Sequence, residues 1–301
     1  MKRGRGTAIA IALLGAALAA AGCGLGPGAD VGSVELTVTR EFGAVPVLQR
    51  SLEAKESDTV MRALEANADV ETRFGGGFVH SIDGVAEGGR GGDPYDWFFF
   101  VDGVESPVGA ADVALQGDER VWWDYRNWSA TNHVPAVVGS WPAPFTDGVA
   151  GKRHPVVLEC DGDGACSVAR KALEDEGVTL APGSPKDAIR MLVGPWNRLR
   201  EDPAARLLED GPGESGIYAK FEGSELVALD EDGVARRRLG PDVGLVAATS
   251  RYGGPPVWLV TGATAAAVRE AADALDEAHL RDHYGVAIED GKEMPLPLEG
   301  R

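Results

Sequence analysis

The stretches Trp97-Phe98-Phe99-Phe100-Val101-Asp102-Gly103 and Gly117-Asp118-Glu119-Arg120-Val121-Trp122-Trp123-Asp124-Tyr125 decide how the first half of this chain folds. Both are rich in aromatic and β-branched side chains and are bounded by Gly and Asp, the pattern of strands joined by tight turns. On an extended backbone Trp97, Phe99 and Val101 share one face while Phe98 and Phe100 take the other, and Trp122 and Trp123 also point opposite ways. One face must be core. The second is either covered by the following part of the chain or exposed as a platform for a flat ligand. Toward the N-terminus, Val34-Glu35-Leu36-Thr37-Val38-Thr39-Arg40 alternates with a period of two, and Gly43 and Pro46 suggest a turn into a second strand at 47–52. Ser57-Asp58-Thr59 supplies a helix cap before Val60, Ala63 and Leu64, which recur at helical spacing. Phe78-Val79-His80-Ser81-Ile82 reads as a further strand. Residues 33–128 are therefore expected to form one compact α+β unit.

Four motifs in this unit carry a resemblance: Asp58-Thr59-Val60-Met61-Arg62-Ala63-Leu64, Gly77-Phe78-Val79-His80-Ser81-Ile82-Asp83-Gly84, and the two stretches quoted first. In order and spacing they resemble the transcobalamin-like C-terminal domain family, with Asp83 and Asp102 where Asn is usual. The resemblance implies a β-grasp-like fold. In transcobalamin and intrinsic factor such a domain closes over the corrin ring of cobalamin, so it implies a cobalamin-like ligand here. The aromatic residues Trp97, Phe99, Trp122, Trp123, Tyr125 and Trp128 are the candidate ligand-binding set. His80 is a candidate axial ligand to cobalt, although a lone strand histidine is more often structural.

The N-terminus reads as an address. Lys2, Arg3 and Arg5 precede an apolar run of about 15 residues, too short for a bilayer span of roughly 20, so residues 1–22 are expected to be an export signal. The ending Ala20-Ala21-Gly22-Cys23 resembles a bacterial lipobox, which implies lipidation of Cys23 and an extracytoplasmic protein anchored at the cell membrane. Residues 23–32 are Gly-rich and expected to be a flexible tether. Cleavage before Cys23 removes three basic residues and no acidic one. It thus makes a chain of formal charge -18 more negative still. That balance excludes a general nucleic-acid or anionic-surface binder. With Cys23 acylated, Cys160 and Cys166 remain as an even pair in an oxidising compartment and are expected to form a disulfide.

Residues 129–155 hold four Pro and three Gly and read as a connector, ordered because it contains Trp141 and Phe145. Beyond it, residues 156–290 alternate strand-like and helix-like runs and are expected to form a mixed α/β domain, followed by a tail at 291–301. Helices are expected at 167–176, 185–191, 195–201, 203–208 and 263–282. Strands are expected at 156–158, 217–221, 226–229, 243–247, 257–260 and 286–288. The local motifs of this half point to ordinary structure. Asp161-Gly162-Asp163-Gly164 begins like a calcium loop but lacks its closing Glu, and His279 and His283 sit one turn apart without the Glu of a zinc protease. Thr261-Gly262-Ala263-Thr264 is a helix start explained by Thr264 capping. Gly211-Pro212-Gly213-Glu214-Ser215-Gly216 lacks the Lys of a phosphate loop and reads as a plain loop. No nucleophile–base pair or complete metal set is visible, so no catalytic activity and no cofactor are expected. Two functions fit: an anchored binding protein capturing cobalamin or a related corrinoid for uptake, with a transporter or envelope protein as partner, or a cell-surface interaction or structural module without a small-molecule ligand.

Overall fold

The computed structural model describes residues 28–86, 92–251 and 253–300. The signal segment, Cys23 and the first half of the tether lie outside the described residues.

The first domain contains β1 (Asp30–Arg40), β2 (Val45–Lys55), α1 (Val60–Glu65), β3 (Val70–Arg73), β4 (Phe78–Ile82), β5 (Val85–Ala86), β6 (Tyr95–Val101), β7 (Val104–Glu105) and β8 (Arg120–Asn127). The strand begins at Asp30, so residues 30–32 belong to the fold and not to the tether. Five strands form one sheet in the order β2-β1-β8-β6-β7, and β3-β4-β5 form a second, small one. β1 and β8 run parallel, while β2 and β6 are antiparallel to their neighbours. Thr59 caps α1 by accepting from the Arg62 N–H. Asp83-Gly84 and Asp102-Gly103 are two-residue hairpin turns in which both residues have positive φ, the geometry that favours Asn or Asp before Gly. On one face of the sheet Val34, Leu36, Val38, Val121 and Trp123 pack against Val60 and Leu64 of α1 and Val79 and Ile82 of β4.

The connector is ordered. Val137 N–H donates to the Gly103 carbonyl at 2.8 Å and Glu105 N–H to the Pro135 carbonyl at 3.3 Å, so the connector closes the β7 edge of the sheet. It continues through α2 (Ala143–Thr146), where Trp141 and Phe145 are buried against Trp258.

The second domain contains β9 (Val156–Cys160), α3 (Asp163–Asp175), β10 (Ile189–Pro195), α4 (Trp196–Leu199), a 3-10 turn (Ala205–Asp210), α5 (Pro212–Ser215), β11 (Ala219–Glu222), β12 (Glu225–Leu229), β13 (Ala235–Leu239), β14 (Gly244–Thr249), β15 (Val257–Gly262), α6 (Ala265–Asp273), α7 (Glu277–Leu280), β16 (Gly285–Glu289) and β17 (Lys292–Leu296). Its main sheet has the order β17-β16-β14-β15-β10-β9, with β9, β10 and β15 parallel and β14, β16 and β17 antiparallel; β11-β12-β13 form a separate sheet. α3 and α6 cover one face of the main sheet. The whole is α+β. Cys160 and Cys166 form a disulfide joining the end of β9 to the first turns of α3.

Several expectations need correction here. The segment 185–191 is not a helix: Ile189-Arg190-Met191-Leu192-Val193 is an inner strand of the main sheet, buried on both faces except at Arg190, which pairs with Glu159 and Asp202. The 263–282 helix is two helices, because the Asp276 carboxylate accepts from the His279 N–H and starts α7 afresh. The 291–301 tail contributes β17, hydrogen-bonded to β16 across an Asp290-Gly291 turn. The 211–216 loop contains the single turn α5. β13 had no counterpart in the sequence reading.

The two domains share a core. Phe42, Phe100 and Trp122 from the second face of the first sheet pack with connector residues Val134 and Val137 and with Trp196, Tyr218, Val227, Leu245 and Tyr284 of the second domain. Polar links run alongside. The Tyr284 hydroxyl donates to the buried Asp124 carboxylate at 3.0 Å, which also accepts from the Thr39 hydroxyl and the Phe42 and Gly43 N–H groups. At the rim Glu35, Arg120, Glu277 and Arg281 close a ring of alternating charge, with Arg120 donating to Glu277 at 2.9 Å, Arg281 to the same carboxylate at 2.9 Å, and Arg281 pairing with Glu35.

Candidate functional site

The strand alternation places each candidate aromatic side chain, and the layers on either side decide its exposure. Trp97 is buried with its indole N–H donating to the Val85 carbonyl at 3.1 Å, and Tyr125 packs on it while donating its hydroxyl to the Ala86 carbonyl at 2.7 Å. Phe99 is half-buried and stacks on the buried Trp123 at 4.8 Å between centroids. Trp122 faces the other way, into the interdomain core, with its indole N–H on the Thr39 hydroxyl at 2.8 Å. Only Trp128 keeps substantial exposure, 39%. The structure thus brings four of the six side chains into the interior and leaves Phe99 half-buried beside them. Of the two alternatives for the second aromatic face, it is the second domain that covers it, and these residues do not present a platform. His80 is near Arg73, with their ring and guanidinium nitrogens 3.0 Å apart. His279 pairs with Asp276, and among the described residues no group of three or more His, Cys, Asp or Glu side chains is arranged to hold a metal ion.

A wide concave surface lies elsewhere among the described residues, at the β7 edge. A groove of about 920 Å³ is bounded by Val104, Glu105 and Pro107 of the first domain, His133, Lys152 and His154 of the connector, and Glu214, Arg251 and Pro255 of the second domain. It exists because the Val104-Glu105 hairpin arm, the connector and the β14–β15 loop converge without interdigitating. Its side chains are partly fixed. The Glu105 carboxylate accepts from the Val134 N–H and lies 3.3 Å from His133 Nδ1, and this partner raises the His133 pKa. His154 Nδ1 is 2.8 Å from the Asp187 carbonyl, and the Ser250 hydroxyl donates to the Gly254 carbonyl at 2.6 Å.

A smaller apolar hollow of about 310 Å³ continues the groove past Val104, Ser106 and Val149, and is walled by Val101, Val108 and Val113. At its floor the Glu119 carboxylate accepts from the Gln116 and Gly117 N–H groups, while burial raises its pKa. Nearby, burial pushes the Asp102 carboxyl up to about 7. The groove has the size and mixed lining for a ligand that combines an apolar body with polar groups, Lys152, Arg251 and two imidazoles standing beside Glu105 and Glu214.

None of these groove residues was in the sequence-derived set. One signal for them existed: the connector carries Lys152, Arg153, His133 and His154 against a single acid, Asp147, which is unusual in this chain.

A family model described as a domain of unknown function (DUF4430) matches residues 57–127, which fall within the first domain. No curated protein matches the chain.

Proposed function

We propose that the protein is a lipid-anchored extracytoplasmic binding protein that performs no catalysis and holds its ligand in the interdomain groove. The observation that carries this reading is the groove itself. Its volume of about 920 Å³ lies in the range of small-molecule sites, and it sits at a domain boundary where such sites concentrate. Two features support the finer assignment. The strand order β2-β1-β8-β6, with the inner pair parallel and α1 following the first hairpin, fits a β-grasp and the transcobalamin-like reading of residues 33–128. In that reading the second domain closes the side of the ligand opposite the β7 arm, and a corrinoid is the ligand class. The Ala20-Ala21-Gly22-Cys23 ending supports a lipid anchor on Cys23.

Equilibrium dialysis of the soluble mature protein against hydroxocobalamin tests the ligand. Retention is expected, weakened about tenfold by Lys152→Ala or Arg251→Ala, the scale of one lost charge-assisted contact. Absence of retention at millimolar cobalamin would remove the corrinoid and leave an interaction module without a small-molecule ligand. Fractionation tests the anchor: Cys23→Ala should move the protein out of the membrane fraction, and a variant that stays there argues against lipidation.

A further inference from the structure

Four large apolar side chains are exposed among the described residues: Phe74, Val108, Trp128 and Val234. Two of them sit on loops that touch. Phe74 opens the turn Phe74-Gly75-Gly76-Gly77 between β3 and β4, and Val108 lies on the loop Ser106-Pro107-Val108-Gly109 after β7, where a Cβ on Gly109 would come within 3.4 Å of the Gly77 carbonyl. Phe74 is 89% exposed, and its backbone is left-handed at φ 53, an outlier for a bulky side chain. Its ring meets Phe78 edge-on at 6.3 Å between centroids and otherwise faces water. The fold thus bears local strain to hold an apolar ring at a tip, the kind of outlier that accompanies a contact surface.

The sheet register fixes where this pair stands. Asp30 pairs with Lys55, Glu35 with Arg120 and Val101 with Val121, so the start of β1, the ends of β2 and β6 and the start of β8 lie at one end of the first domain. The 106–119 loop closes that end, its Ala110 and Val113 carbonyls accepting from the Met61 and Val60 N–H groups of α1 at 3.0 Å. The chain leaves for the tether here too, since a Cβ on Gly28 would touch the Glu56 side chain just beyond β2. Trp128 and Val234 belong to the opposite end. Trp128 follows Asn127, the last residue of β8, whose side-chain amide donates to Asp232 at 3.0 Å, two residues before Val234.

We infer that Phe74 and Val108 rest in the headgroup layer of the lipid bilayer and fix the orientation of the protein on the membrane. The inference rests on the proposed acylation of Cys23, and the length of the tether selects the lipid surface as occupant. Five Cα–Cα steps separate Gly28 from Cys23, at most about 18 Å when fully extended, so an anchor at Cys23 keeps this end of the first domain against the bilayer. An apolar ring on a narrow tip suits the boundary between headgroups and acyl chains, and it gives the lipid anchor a second point of attachment. Charge does not drive the contact. Glu56, Asp112 and Asp118 are exposed at the same end, which favours a zwitterionic lipid over an anionic one.

The test uses the soluble mature protein, in which Cys23 is the one thiol outside the Cys160–Cys166 disulfide. It is coupled through Cys23 to a maleimide lipid in phosphatidylcholine vesicles. Coupling supplies an anchor whether or not cells acylate Cys23, so this result and the membrane fractionation of Cys23→Ala are read separately. Phe74→Trp should lose at least half of its added emission, taken as the difference from the unmodified protein, when the phosphatidylcholine is brominated near the glycerol end of its chains. Val234→Trp, at the opposite end, should lose less than a tenth. Phe74→Asn suits the left-handed backbone and should leave the urea midpoint unchanged or higher. The proposal is overturned by unquenched Phe74→Trp, by equal quenching of Val234→Trp, or by a lowered midpoint of Phe74→Asn, which would assign the ring to the fold. It is also overturned by a blue shift of Phe74→Trp that grows with protein concentration without vesicles, which would give the tip to a second copy of the chain.

Discussion

Asp102 shows how much a single residue can carry. It occupies a turn position that asks for Asn or Asp, it accepts from the Arg120 N–H at 2.9 Å, and it is almost wholly buried. Burial, the dominant cause, pushes its carboxyl up to about 7, against a partial offset from that backbone hydrogen bond. The folded state therefore binds the proton more tightly than the unfolded chain. Between about pH 4 and pH 7 the native form holds more protons, so stability falls as pH rises through that window, by on the order of 2–4 kcal/mol. Asp102→Asn keeps the turn and the acceptor while removing the charge. It should raise the urea midpoint at pH 8, by the equivalent of about 2 kcal/mol, and flatten the profile between pH 5 and 8; an unchanged profile would show that Asp102 is not its source. The turn role of Asp102 was readable from its place before Gly103, since only local backbone geometry is involved. Its titration was not, because burial arises only in the folded chain, where the connector residues Val137 and Ser140 come to lie against the neighbouring Gly103.

At the scale of elements, close approach between helix and sheet depends on two glycines. Gly244 and Gly262 are cross-strand partners on β14 and β15, and α6 lies directly over them. A Cβ on Gly262 would collide with the Ala267 side chain, and one on Gly244 with the Ala267 carbonyl and Ala271. Gly262→Ala should therefore cost about 1–3 kcal/mol in overpacking, measured by chemical denaturation, and a matching Ala267→Gly change should recover part of it despite its lower helix propensity. Legibility followed the same logic. The first-domain strands β1, β2, β4, β6 and β8 could be read because one sheet face is core and alternates, or because a two-residue Asp-Gly turn marks their ends, whereas the short β3, β5 and β7 could not. β10 was misread because a strand buried on both faces does not alternate and Pro185 suggested a helix start. β13 was missed because Arg236, Arg237 and Arg238 give no apolar period; its ladder to β12 holds it, with ion pairs to Asp230, Glu289, Glu222 and Glu225 alongside. The groove could not be read, since its walls come from three segments separated by dozens of residues.

The whole molecule behaves as one body because its largest core crosses the domain boundary. Trp122 and Phe100 of one domain meet Tyr284 of the other at 5.3 and 5.5 Å between centroids, and the buried Asp124 ties the same tyrosine down. Heating should therefore give a single calorimetric transition, with the van't Hoff and calorimetric enthalpies equal. Tyr284→Phe should lower its midpoint without splitting it, at a cost of about 1–3 kcal/mol for leaving Asp124 one donor short. Two resolved transitions in the unmodified protein would show that the shared core does not couple the domains. The burial of the tryptophans also has an optical consequence. Trp97 and Trp123 lie in the first-domain core, Trp122 and Trp196 in the shared core, and Trp141 and Trp258 beneath the helices of the second domain, leaving Trp128 nearest to solvent. Native emission should be blue-shifted and largely shielded from acrylamide. Replacing Trp128 and the tryptophans of two cores by phenylalanine would make the remaining pair an intrinsic lamp for the third, so each layer of the protein can be watched coming apart in its own light.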